Sequence, residues 1–192
     1  MAKSIQEAGV AEGVAHNGCA VRSAPVEFVD LEDLMTGGDA PARVVLLDDV
    51  DDPHNLGAVI RTAAALAIDG LVIAGPSAPP LGGAVAKAAA GLLGRIPMAR
   101  VKVAADALSR LREADYWVFG ADAAGTPLPE IKPTARWALC LGAEGRGIRA
   151  KTRSQVDEFV AIPMAEGVES LNLSVSAGIL LWELSRTNDA GC

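Results

Sequence analysis

Ser170 and Asn172 close a loop that opens with Ile162-Pro163-Met164, and they lead directly into an apolar stretch from Leu173 to Leu184. Apolar residues at 173, 175, 177, 179, 180, 181 and 184 predict a helix buried on most sides. The two polar residues then fall at or just before its first turn. Free backbone N–H groups and short polar side chains at a helix start can hold a carboxylate, a ribose or an adenine edge. Taken alone, the pattern favours a plain capped core helix.

Two further segments carry chemistry. In the first, the apolar run Val44-Val45-Leu46-Leu47 is followed by a charged turn, Asp48 to Asn55, and a helical pattern from Leu56 to Ala67. Asn55 falls at the helix start, where an asparagine is an ordinary N-cap. Gly57 weakens a helix unless something approaches its backbone, and Arg61 lies four residues further along the same face. The pair suggests an anion site. In the second, Leu139-Cys140-Leu141 breaks into Gly142-Ala143-Glu144-Gly145-Arg146-Gly147, with three glycines within six residues. A glycine-rich loop after a buried strand hugs a ligand or turns sharply. It has neither the Walker ending nor the dinucleotide fingerprint.

The elements that must position these residues form an alternating series. Strands are expected at 44–47, 71–74, 116–119, 138–141 and 158–162, and helices at 56–67, 84–93, 104–113, 148–154 and 171–186. That alternation predicts an α/β fold, a mostly parallel sheet flanked by helices. With 192 residues and 51% apolar content, the chain suits one domain with a sizeable core.

Together the three segments resemble the motifs of the SpoU or TrmH-like branch of the SPOUT RNA methyltransferases. Asn55-Leu56-Gly57-Ala58-Val59-Ile60-Arg61-Thr62-Ala63 is similar to the first motif, and Leu141-Gly142-Ala143-Glu144-Gly145-Arg146-Gly147 to the second. The third is matched by Ile162-Pro163-Met164 through Ser170-Leu171-Asn172-Leu173-Ser174. Order and spacing agree, and the resemblance covers roughly residues 43 to 186. One departure stands in Lys87 to Pro97, where Gly94 occupies a position at which the family often carries a glutamate.

The resemblance implies S-adenosylmethionine as cofactor and methyl transfer to a ribose 2′-hydroxyl of RNA, either ribosomal RNA of the 23S type or transfer RNA. It also implies a C-terminal deep trefoil knot and a homodimer that completes the RNA site. Carried over by motif, Gly142, Ile162 and Leu171 line the adenosine pocket largely through backbone groups, with Leu141, Gly145 and Met164 adjoining. Asn55, Arg61, Glu144, Ser170 and Asn172 take the catalytic and substrate-holding positions. The family casts the arginine as a general base, but a free guanidinium stays protonated, so Arg61 is read here as a phosphate clamp. A non-catalytic RNA-binding or ribosome-assembly protein of the same fold is the alternative, and a base-nitrogen methyltransferase is a further rival.

Charge opposes an RNA partner at first sight: the formal net charge is −7 and the sequence pI about 4.8. Residues 1 to 40, read as a partly flexible acidic arm, hold seven carboxylates against Lys3 and Arg22, leaving a net of −2 for the domain at 41–192. In the arm, Val26 to Val29 suggests a short strand and Leu31 to Met35 a helical turn. Arg136, Arg146, Arg149, Lys151 and Arg153 crowd around the second motif in sequence, as either a solvated face or an RNA-contacting patch. Cys19, Cys140 and Cys192 show no pair spacing, and His16 and His54 are too isolated for zinc, so no metal is expected. With no apolar span or signal peptide, the expected location is the cytoplasm.

Overall fold

The computed structural model describes residues 24–35, 40 and 42–186. Six strands form one sheet: β1 (Ala42–Asp48), β2 (Gly70–Ala74), β3 (Met98–Val101), β4 (Trp117–Pro127), β5 (Arg136–Gly142) and β6 (Glu158–Ala161). Their order is β3-β2-β1-β5-β4-β6, and every ladder is parallel. Val44 to Leu47 have no exposed surface, as the middle strand of a doubly covered parallel sheet requires.

Side chains alternate across the sheet, and each face gathers its own core. Val45, Leu47, Leu71, Ile73, Leu139 and Leu141 pack with α1 (Pro53–Ala65), α2 (Gly83–Ala89) and α5 (Leu173–Arg186). Val44, Leu46, Val72, Ala138 and Cys140 pack with α3 (Ala104–Glu113) on the other face. A short helix, α4 (Ala150–Arg153), leads from the glycine loop toward β6. Leu173, Ala177, Leu180, Leu181 and Leu184 form the buried face of α5, and truncating a leucine there to alanine costs about 2–5 kcal/mol.

β3 was not expected from the sequence. It is a four-residue edge strand with one exposed residue, Arg100, too short and mixed for an apolar run to reveal. Its outer edge receives Val29, whose N–H donates to the Met98 carbonyl at 2.9 Å. Leu31–Met35 is a 3-10 turn that buries Leu31 and Leu34 against the α3 face. The remainder of residues 1–40 lies outside the described residues, apart from Ser23's successors at 24–30 and Ala40.

β4 runs to Pro127, well past the expected 116–119. Its pairing with β6 slips between Ala121 and Thr126, so residues 122–125 bulge from the ladder. At Gly125 a Cβ would lie 2.5 Å from the Phe159 carbonyl carbon, so only glycine fits there. Helix α2 ends at Ala89 rather than 93, because Ala90 and Gly91 turn left-handed.

Candidate functional site

The chain order reverses between β1 and β5, and the loops after these two strands diverge there. Such a switch point at the carboxyl ends of parallel strands leaves a crevice. The first segment and the glycine loop leave the sheet from those two strands, and the loop before α5 arrives beside them.

Asp52, not Asn55, caps α1: its carboxylate accepts from the His54 N–H at 2.8 Å, and Pro53 takes the first helical position. This frees the Asn55 side chain, which is 5% exposed, to face the neighbouring loops. Asn55 Nδ2 donates to Glu144 Oε1 at 3.1 Å, and Asn55 Oδ1 accepts from Asn172 Nδ2 at 2.9 Å. Asn172 Nδ2 also lies 2.7 Å from Glu144 Oε1, and the Leu173 N–H donates to the same oxygen at 2.9 Å. Asn172 Oδ1 caps α5, accepting from the Ser174 N–H at 2.9 Å and the Ser174 hydroxyl at 2.6 Å. One residue from each segment thus meets at a single carboxylate.

The glycine loop is tied at several points. Gly147 N–H donates to the Ala143 carbonyl at 2.8 Å, and a Cβ on Gly142 would sit 2.0 Å from the Gly147 carbonyl carbon. Asp48, wholly buried at the end of β1, accepts from the Arg149 backbone N–H at 3.1 Å and from Arg149 Nε at 2.8 Å. This contact holds the Arg149 guanidinium above its ordinary pKa. Burial pushes the Asp49 carboxyl up, but hydrogen bonds from Ser77 and the charges of Arg149 and Arg146 outweigh it, leaving it below the usual value. The motif reading missed Asp48 and Arg149; the signal for the first was a carboxylate directly after the apolar run Val44–Leu47.

A cavity of about 730 Å³ opens beside this network. Leu141, Gly142, Gly145, Ile162, Met164 and Leu171, the six residues expected at an adenosine pocket, all line it, as do Glu144, Ser170 and Asn172. Asn55 stands behind Glu144, outside the lining. Arg61 is not brought to the network: it is exposed on α1, with no side-chain hydrogen bond or ion pair among the described residues. The anion site suggested for Gly57 and Arg61 is replaced by helix packing. Gly57 is buried, and a Cβ on it would lie 2.5 Å from both the Ala88 Cβ and the Val85 carbonyl oxygen of α2.

The basic cluster around the second motif is also dispersed. Arg146 reaches Asp49 at 3.9 Å and Asp51 at 3.6 Å, and Arg149 is held by Asp48 and Asp49. Arg153 pairs with Asp122 and lies 4.2 Å over the Phe159 ring. Arg136 sits at the opposite end of the sheet, 4.4 Å over Tyr116. Sequence adjacency did not predict this, because the acids that engage these arginines come from other strands.

The donor set suits S-adenosylmethionine. Aliphatic walls from Leu141, Val160, Ile162 and Leu180 can pack a purine, loop backbone groups can read its edge, and Asp122, Glu144 and Glu169 face the same space as a cationic ligand would. Burial pushes the Cys140 thiol well up, which makes it a core group rather than a nucleophile. No group of three or more potential metal ligands occurs among the described residues, and no described helix is long and apolar enough to cross a membrane.

An all-parallel α/β domain with a ligand cavity at the carboxyl ends of its central strands defines the class of protein. Within that class, residues 42–182 match the SpoU rRNA methylase family, and the chain belongs to it. It is 39% identical over 182 residues to the 23S rRNA (guanosine-2′-O-)-methyltransferase RlmB of Xylella fastidiosa, covering 93% of this chain and 73% of that one. Among solved structures it resembles the rRNA methyltransferase of Sinorhizobium meliloti with AdoMet bound, with a TM-score of 0.76 and 30% identity over 83% of this chain. It likewise resembles the SpoU methyltransferase AviRb of Streptomyces viridochromogenes in complex with AdoMet, with a TM-score of 0.76 and 28% identity over 83% of this chain. The chain spans 61% and 62% of those two solved chains, respectively.

Proposed function

We propose that this protein is an S-adenosylmethionine-dependent RNA 2′-O-ribose methyltransferase that acts on ribosomal RNA. The observation that carries the reading is the meeting of Asn55, Glu144 and Asn172 at the mouth of the cavity, in a member of the SpoU family. The name of the Xylella relative supports ribosomal over transfer RNA.

When bound, the cofactor supplies an electrophilic methyl group, so the chain's own task is to place the ribose oxygen and help its proton leave. Gly142, Ile162 and Leu171 hold the adenosine mainly through backbone groups, with Leu141, Gly145 and Met164 beside them. Glu144 is fixed through Oε1 by three donors, leaving its other oxygen turned to substrate. Ser170 and Asn172 orient the ribose, and Asn55 keeps Glu144 and Asn172 in register. Arg61 acts as a phosphate clamp, its planar fork gripping the RNA backbone.

Two subunits are part of this reading. Val175, Ile179 and Trp182 lie on one face of α5 at spacings of four and three, and are 49%, 38% and 58% exposed. Covering that stripe with a second copy makes a homodimer, and Arg61, which stands clear of its own network, is then available to the partner's site. The deep trefoil knot, the division at residue 41 and a cytoplasmic location rest on family membership and the RNA substrate.

The test is incubation with radiolabelled S-adenosylmethionine and unmodified ribosomal or transfer RNA, followed by nucleoside identification. A labelled 2′-O-methylnucleoside from ribosomal RNA is expected. Cofactor binding with no label from either RNA would favour the non-catalytic reading. Arg61→Ala should lose turnover and keep cofactor affinity; loss of cofactor binding would sink the clamp.

A further inference from the structure

Between Pro53 and Ala105 the chain has a single carboxylate, Asp69, in a protein with a net charge of −7. Asp69 is itself engaged, accepting from the Arg43 backbone N–H at 2.8 Å. This stretch builds α1 and α2, which pack closely enough that Gly57 admits no side chain against Ala88. Its bases are Arg61, Lys87, Arg95, Arg100 and Lys102. Arg100 is occupied, donating to the Pro79 carbonyl at 2.8 Å and covering Phe28.

Arg61, Lys87 and Arg95 differ from the arginines near the glycine loop. All three are exposed, and none has a side-chain hydrogen bond or ion pair among the described residues. Lys87 adjoins Ala88 at the α1–α2 contact, Arg61 lies one turn beyond Gly57 on α1, and Arg95 follows α2. The surface among them is low, made of exposed Gly83, Ala84, Ala86, Ala90, Gly91 and Gly94. A Cβ on Gly94 would meet nothing within 4 Å, and as glycine this position adds neither bulk nor negative charge.

We infer that the α1–α2 face is the RNA-docking surface, with Lys87 and Arg95 holding the phosphodiester backbone and Arg61 continuing that track toward the reacting ribose. The inference rests on the methyltransferase reading and says where its substrate lies. Phosphate contacts made by unpaired bases release counterions, whereas arginines already paired with carboxylates release few. This face therefore offers three exposed cations without side-chain partners, whereas in the second-motif cluster only Lys151 is left without one among the described residues. Small exposed residues let a sugar-phosphate chain approach the helix backbone.

The experiment titrates full-length protein with transcribed 23S ribosomal RNA at several salt concentrations, using Lys87→Glu, Arg95→Glu and the double variant. Lys132→Glu, an exposed base in the segment between β4 and β5 and outside α1 and α2, reverses the same charge as a control. The double variant should bind at least about tenfold more weakly and flatten the log–log salt slope by about 0.7–0.9 per lost contact. Lys132→Glu should change affinity less than about threefold, and cofactor affinity should be unchanged in all four. Equal weakening by Lys132→Glu, or a double variant that binds like wild type, would overturn the inference. Methyl transfer by the wild type, read in parallel, separates the two failures. Transfer without a variant effect removes the surface, and a variant effect without transfer removes the enzyme reading.

Discussion

Asn172 and Glu144, 28 residues apart in the chain, share a hydrogen bond of 2.7 Å from the asparagine amide to Glu144 Oε1. The same asparagine caps α5 through its other atom, so helix position and carboxylate position are set by one side chain. Any shift of α5 moves Glu144.

Glu144→Ala removes the acceptor shared by Asn55, Asn172 and the Leu173 N–H. Turnover on ribosomal RNA should fall roughly 10²–10³-fold. Stability should fall as well, by about 1–3 kcal/mol for each buried donor left without an acceptor, because Asn55 and Leu173 are buried. A turnover within twofold of wild type would remove Glu144 from the mechanism.

Gly142→Ala forces a methyl into the Gly147 backbone at 2.0 Å. The loop must move, and a displacement of about 1 Å should lower activity about 10²-fold. Calorimetry with S-adenosylmethionine should report the loss as weaker binding. Unchanged cofactor affinity would mean that the loop does not form the pocket.

Trp182→Glu places a charge in the apolar stripe of α5. Sedimentation should give a dimer for the wild type and a monomer for the variant, with the circular dichroism spectrum retained. A wild-type monomer would leave the stripe to another partner.

Asp122 has a depressed pKa because its carboxylate accepts the Ala124 N–H, and then because Arg153 pairs with it. A depressed carboxylate stabilises the fold above its unfolded value, near 3.8, and that contribution is lost as pH falls through the lower folded value. Asp122→Asn should therefore melt earlier than wild type at neutral pH, and the gap should close below about pH 4. A gap that is constant with pH would mean that packing, not charge, holds the bulge of β4.

Strong periodic elements were legible in the sequence because their burial depends on local pattern. Val44 to Leu47 and Leu139 to Leu141 read as strands, and the 173–184 periodicity as a buried helix. β3 was not legible, since Met98 to Val101 owes its strand state to pairing with β2 and to the cover of Val29. The helix cap was misplaced by three residues. Asp52 and Asn55 are both good caps, and only the contact with Glu144 explains why Asn55 does something else.

By itself the sequence determined the alternation of strands and helices, the three glycine- and asparagine-bearing segments and the family they belong to, since residue type and spacing encode those directly. Tertiary structure decided which charges remain free. Arg146, Arg149 and Arg153 are neutralised by carboxylates from β1, β4 and the turn after β1, while Arg61, Lys87 and Arg95 are left to solvent. Ion pairing depends on distance in space, and that distance is set by strand order rather than by position along the chain.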